Sequence, residues 1–127
     1  MAIVNQYKFL GQNVATTDET TLLTPSLAGS GAVETVIIKS FRVTNNTGNT
    51  PTITIKNGTT KIVNAQTLSA NASVEILTLP LILESGVALK VTMSSGDSVD
   101  IGISYLNINQ EVVVLWRQLN ITEKMYP

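Results

Sequence analysis

Apolar and polar side chains alternate with a period of two in one stretch of this chain after another, which is the period of a strand with one buried face. Residues 87–93 place Val87, Leu89, Val91 and Met93 on one side and Ala88, Lys90 and Thr92 on the other. Residues 99–105 repeat the pattern, with Val99, Ile101, Ile103 and Tyr105 set against Asp100, Gly102 and Ser104. Tyr105 therefore points inward. Between the two stretches lies Ser94-Ser95-Gly96-Asp97-Ser98, a run of turn formers, so they are expected to pair as an antiparallel hairpin.

Upstream, Ile53 and Ile55 share a face ahead of Asn57-Gly58, a dipeptide suited to positive φ at both centres of a type I′ turn. Lys61, Ile62 and Val63 begin the return strand. Residues 35–44 are β-branched and apolar, but Lys39 falls on the parity of Ile37, Phe41 and Val43. A bulge near Lys39, or a strand that starts later, restores the pattern. Residues 45–50 are turn chemistry, and Pro51 stands at the entry to a strand. Residues 73–79 supply another strand, with Val74 and Ile76 inward and Pro80 at its end. Residues 7–10 and 20–23 are shorter candidates parted by Gly11-Gln12-Asn13, and residues 25–31 form a Gly/Ser-rich loop. Turn clusters recur about every 8 to 12 residues and no capped helical stripe occurs, which predicts an all-β fold. The expected architecture is an antiparallel β-sandwich, jelly-roll-like, of about eight strands. Residues 1–106 form the sandwich domain, with 1–14 either part of it or an N-terminal arm, and 107–127 form a C-terminal strand or interaction arm.

The end of the chain breaks the alternation. Val112, Val113, Val114, Leu115 and Trp116 are continuously apolar and include the sole tryptophan. Such a run suits a last strand buried on both faces, with Trp116 in the core. It suits equally an arm that buries itself on another subunit, because Trp and Tyr anchor interfaces. On that second reading Tyr7, Phe9, Arg117 and Tyr126 join the run as contact residues.

Chemistry is restricted by what is missing. The 127 residues include no cysteine and no histidine, which removes disulfides, thiol nucleophiles, zinc cages and the commonest general base. Asp97 and Asp100 lie close in sequence, as do Asp18 and Glu19. A glycosidase pair must face across a cleft, and calcium needs about six or more oxygens, commonly from a denser acidic loop. Asp97 is expected to close a turn and Asp100 to sit on a solvated face. Nucleotide-binding and nucleophile-elbow motifs are absent. The chain reads as non-enzymatic, with no catalytic, metal or cofactor residues. A net charge of −1 offers no positive field for nucleic acid or anionic lipid. No apolar run approaches the roughly 18 residues of a membrane span, and no signal peptide is expected. The N-x-[ST] triplets at Asn45, Asn57, Asn71 and Asn120 are read as turns. Charged residues make up 13% of the chain, against about 25% in ordinary soluble domains, which suits a molecule held against neighbours. The alternative is a receptor- or carbohydrate-binding module with a platform built from Trp116, Tyr7 or Tyr126, though the aromatic content is only 5%.

Motif order adds to this. Leu22-Leu23-Thr24-Pro25 and the Gly/Ser loop precede V-I-I-K-S-F-R-V-T-N-N-T-G at 36–48. Then come A-Q-T-L-S-A-N-A-S-V-E-I-L at 65–77, L-I-L-E-S-G-V-A-L-K-V at 81–91 and a closing alternating strand. Over residues 15–106 this order resembles small β-sandwich structural proteins of tailed bacteriophage virions. It departs from them at Val87, where the related strand often begins with Asp, and in the extension from Asn107. The resemblance implies a virion component: a capsid decoration or cement protein, a fibre base, or an adaptor. Its implied partners are sister copies, as a trimer or in a lattice, and capsid or tail proteins. Its implied place is the virion, after synthesis in the host cytoplasm and release by lysis.

Overall fold

The computed structural model describes residues 3–27 and 33–110. Nine strands form there: β1 (Ile3–Val14), β2 (Thr20–Leu23), β3 (Val33–Asn45), β4 (Thr52–Asn57), β5 (Thr60–Thr67), β6 (Ser73–Glu75), β7 (Leu81–Leu83), β8 (Leu89–Met93) and β9 (Val99–Gln110). They make two antiparallel sheets. One is ordered β1-β9-β3, with β6 and β7 both on the far side of β3; the other is ordered β2-β8-β4-β5. β6 pairs with residues 42–44 and β7 with residues 36–38, so the two share one position in the sheet. Pro80, which has no N–H to give a ladder, lies in the interruption between them. Nine segments thus fill eight positions, in the winding of a jelly roll.

Alternation closes the core. Ile53 and Ile55 of β4, Leu89, Val91 and Met93 of β8, and Val99, Ile101, Ile103 and Tyr105 of β9 are all buried. On β3 the inward set is Val36 and Ile38, then Phe41 and Val43. The change of parity falls at Lys39, where the β3–β9 register shifts: Ile38 faces Tyr105 and Ser40 faces Ser104. Lys39 is the extra residue of a bulge and is exposed. Ile37, on the opposite parity from its buried neighbours, turns outward.

The hairpin expected between residues 87–93 and 99–105 does not form. β8 pairs with β2 and β4, whereas β9 pairs with β1 and β3. Two amphipathic strands can bury their apolar faces side by side or by stacking face to face, and periodicity alone does not choose. Here they stack, and residues 94–98 cross the roughly 10 Å between sheets. Asp97 closes that crossing: its carboxylate accepts from Ser95 Oγ at 2.6 Å and from Asn49 Nδ2 at 2.9 Å.

The β4–β5 hairpin forms one residue later than its turn chemistry suggested. Asn57 pairs with Thr60, so the turn centres are Gly58 and Thr59, and only Gly58 has positive φ (64°). That is the signature of a II′ turn rather than I′. The Gly11-Gln12-Asn13 break is also absent. β1 runs through it and pairs with β9 from Ile3↔Gln110 to Val14↔Val99. Within the segment expected to be either part of the domain or an arm, residues 3–14 form β1, an edge strand of the sheet, and β9 continues past residue 106 to Gln110. Residues 111–127 lie outside the described residues.

One buried polar side chain organises the loops at the Val99 end of the sandwich. Asn45 Nδ2 donates to the carbonyls of Asn49 (2.7 Å) and Ser69 (3.2 Å), while its Oδ1 accepts from Thr47 N (3.0 Å) and Thr47 Oγ1 (2.9 Å). The triplet at Asn45 is therefore an Asx turn with a buried side chain, and Asn71 has the positive φ (53°) of a left-handed turn residue. Asn45→Ala removes the four hydrogen bonds of this buried side chain and unties the loops it holds. It should lower unfolding free energy by about 2–3 kcal/mol, measured by urea denaturation, with no change in strand content by circular dichroism.

Candidate functional site

The outer surface of the β1-β9-β3 sheet carries the features that folding does not use. Val14 and Leu10 of β1 pack into or against the core, so Tyr7, Phe9, Gly11 and Asn13 face out. The register stacks outward residues into rows that cross the strands. At the Val99 end, Asn13, Asp100 and Thr44 share a row. There Asn13 Nδ2 donates to Asp100 Oδ1 at 2.8 Å and to Ser98 Oγ at 2.9 Å, and Thr44 Oγ1 lies 2.7 Å from Ser73 Oγ. Gly11, Gly102, Arg42 and Glu75 make the next row. Glu75 accepts from Ser40 Oγ and from the Phe41 amide.

The two glycines face each other because Phe9 lies over both. A Cβ at Gly11 would come 3.1 Å from Phe9 Cε2, and one at Gly102 would come 3.2 Å from Cε1 and Cζ. An aromatic ring laid on a bare stretch of sheet restores the packing the glycines lack. Phe9 nevertheless remains 70% exposed. With Asn13, Arg42, Asp100 and Ser104 it borders an open depression of about 650 Å³.

Toward the Gln110 end the face changes character. Tyr7 is paired with Leu106, Leu106 with Ile37, and Ile37 with Ile82, a single apolar row across β1, β9, β3 and β7. Ile108 lies in the row beyond and Phe9 in the row before. Tyr7 is 80% exposed and Ile82 57%, while Ile37, Leu106 and Ile108 are half-buried. Among the described residues nothing covers this band. Its neighbours in parity on the inner side, Val36, Ile38 and Tyr105, already fill the core.

Ionisable groups do not converge on either half of the face in a way that would split acid from base. Asp100 is held below the usual carboxylate range by the Asn13 and Asn46 amides, and Asp97 by Ser95 and Asn49. Two carboxylates stabilised in the same ionised form supply acceptors, not a donor and a base. Glu19 is spent on the opposite sheet, bridging Lys56 Nζ at 3.2 Å and Lys90 Nζ at 3.6 Å. Among the described residues no group of three or more acidic, His or Cys side chains could hold a metal, and no helix is long and apolar enough to cross a membrane.

Of the contact residues expected from sequence, Tyr7 and Phe9 sit on this outer face, in successive outward positions of β1. Val112, Val113, Val114, Leu115, Trp116, Arg117 and Tyr126 lie outside the described residues. Leu106, Ile108, Ile37 and Ile82 lie on the same face and are not among the residues expected from sequence. The signal was available in β9, whose outward residues change from Asp100, Gly102 and Ser104 to Leu106 and Ile108. In β3 it was the triplet Val36-Ile37-Ile38, apolar on both parities.

No family model and no curated protein sequence matches the chain. Among solved structures it is similar to the nucleoplasmin-like N-terminal domain of Drosophila FKBP39, with 17% identity over 79% of this chain and 88% of that one and a TM-score of 0.49. It is similar to the extra small virus VLP of the giant freshwater prawn Macrobrachium rosenbergii, with 14% identity, coverage of 84% and 80%, and a TM-score of 0.42. It is also similar to a pentameric capsid protein from metagenomic phage sequences, with 17% identity, coverage of 76% and 59%, and a TM-score of 0.37.

Beneath the band, on the inner side, Glu34 ties three elements together. Its carboxylate accepts from Asn107 Nδ2 at 2.8 Å and from the Ser26 amide at 2.9 Å, and its carbonyl accepts from Ser85 Oγ. The Asn107 and Ser26 bonds hold its pKa below the ordinary value of 4.5, while burial with the Glu34 charge nearby pushes Tyr105 up. A depressed folded pKa means that this stabilisation is complete above 4.5 and is lost as the pH falls through the folded value. Urea midpoints measured from neutral to acid pH should therefore drop below 4.5. Glu34→Gln should be less stable than the parent at neutral pH and show a shallower acid loss.

Proposed function

We propose that this chain is a non-enzymatic structural subunit of a bacteriophage virion. It attaches to or stabilises the capsid or tail, as a decoration or cement protein, fibre base or adaptor. The observation that carries the assembly part is the apolar row Tyr7-Leu106-Ile37-Ile82, outward on a sandwich whose core is already closed on the other side of the same sheet. Contiguous apolar surface of this kind marks contact with other macromolecules. The low charge of the chain and the resemblance of its motif order to tailed-phage sandwich proteins support the virion part. Sister copies are the first expected partners, and capsid or tail proteins the second.

A receptor- or carbohydrate-binding module is the second reading. The depression beside Phe9 favours it, since an exposed ring over a glycine floor, next to Arg42 and the Asn13–Asp100 pair, presents stacking and hydrogen bonding together.

Light scattering of the purified chain should give at least twice the 13.6 kDa of one copy at micromolar concentration. Leu106→Glu should shift that mass toward the monomer while circular dichroism stays unchanged. A parent chain that is monomeric at every concentration overturns assembly through copies of itself. Gradient-purified particles from the source phage should contain the chain at a fixed ratio to the major shell protein; its absence from them removes the virion reading. For the second reading, a glycan array that binds the parent and not Phe9→Ala would support it, and an empty array would sink it.

A further inference from the structure

The apolar band has a candidate occupant within the chain itself. β9 ends at Gln110, paired with Ile3 and Val33 at the band's end of the sheet, and 17 residues (111–127) follow it. The first of these beyond Glu111 are Val112, Val113, Val114, Leu115 and Trp116. We infer that this run, from one copy, packs on the Tyr7-Leu106-Ile37-Ile82 row of a second copy and forms the core of the contact between them.

Two arguments select a second copy over the chain's own band. To fold back over its own sheet the chain must reverse within a residue or two of Gln110. Yet no Gly, Pro, Asn or Asp occurs between Gln110 and Asn120, and a β-branched run favours extended continuation. An extended segment leaves the end of β9 pointing away from the band behind it. Second, the run is apolar on both parities. Laid on its own sheet it would bury Val112, Val114 and Trp116 or else Val113 and Leu115, and leave the other set in water. Where two copies exchange runs, one set meets the partner's band and the other set meets the partner's run, a surface that a single copy does not offer. The band supplies the matching surface: it is apolar, it is at the end of the sheet from which the run departs, and Tyr7 and Ile82 on it are more than half exposed.

The inference rests on the assembly reading, and its test separates the two. Trp116 is the sole tryptophan, so its emission reports this segment in the unaltered full-length chain. Acrylamide quenching is measured across a dilution series alongside the mass by light scattering. Expected is a blue-shifted, protected Trp116 in the oligomer, with a red shift and loss of protection as the chain dissociates. Protection that persists in the monomer places Trp116 in its own core and overturns the inference. An exposed Trp116 in an intact oligomer overturns it too, but leaves assembly through another surface standing. A chain that never oligomerises overturns both.

Cross-linking gives an independent reading because the chain has no native thiol. Leu106→Cys chains, mixed and oxidised with Val113→Cys chains or with Val114→Cys chains, which lie on opposite faces of the run, should yield the mixed disulfide dimer with one of the two. Failure of that dimer to form with either, when each variant still assembles at the parental mass, overturns the inference.

Discussion

The pairing of β3 with β9 is the constraint on which the rest of the sandwich depends. β9 lies between β1 and β3, so its register places both neighbours at once. β3 can follow β9 along its length only if its two apolar halves, Val36 with Ile38 and Phe41 with Val43, both face the core, and they are out of phase by one residue. In an unbroken ladder one half would point to water, since a slip of one residue turns every side chain to the other face. The bulge at Lys39 absorbs the extra residue and lets both halves bury. Burying one more pair of large aliphatic side chains is worth several kcal/mol, far more than the ladder bonds disturbed at a single bulge.

That same shift decides what the outside of the sheet looks like. Before Lys39 the outward positions of β3 are Thr35 and Ile37; after it they are Ser40, Arg42 and Thr44. β9 changes in step, from Asp100, Gly102 and Ser104 to Leu106 and Ile108, and β1 changes one row earlier, from Asn13 and Gly11 to Phe9, paired with Ser104, and then Tyr7. Three strands distant in sequence thus agree on one apolar row, Tyr7-Leu106-Ile37, while the rows on either side mix Phe9 with Ser104 and Ser40, and Ile108 with Asn5 and Thr35. The polar groups toward the Val99 end are internally satisfied through Asn13, Asp100, Ser40 and Glu75. The apolar row has no counterpart among the described residues. Agreement across three strands is hard to explain as incidental exposure, which scatters singly over a surface.

Local periodicity made much of this legible and left out what depends on pairing. The inward sets of β8 and β9, the bulge at Lys39, the strand at Thr20–Leu23 and the turn roles of Asn45 and Asp97 all follow from the side chains nearest in sequence. The partner of each strand does not. Residues 94–98 look like a hairpin turn because hairpin and crossover use the same residue types, and only the stacking of Leu89, Val91 and Met93 against the opposite sheet distinguishes them. Gly11 looked like a break because glycine weakens a strand; across from Gly102 and under Phe9 it is instead what lets the ring lie down. The band was missed for a related reason. Leu106, Ile37 and Ile82 are spread over the chain, and no window of sequence contains more than one of the contacts that make them a surface.

The position of Lys39 bears on how the proposed contact along the band would be confined to one row. Charge is sparse in this chain, so repulsion between molecules does little to keep apolar faces apart. Bulges and flanking cations limit indiscriminate strand and face pairing by local means. The bulge sets Lys39, exposed, on the boundary between Ile37 of the band and Ser40 of the next row. A partner that lies across the row from Tyr7 to Ile82 avoids it, whereas one that slides toward the Val99 end must desolvate it. One inserted residue therefore serves two purposes. It keeps β3 in register with the core, and it places a cation at the edge of the apolar row, where it would confine the proposed contact to that row.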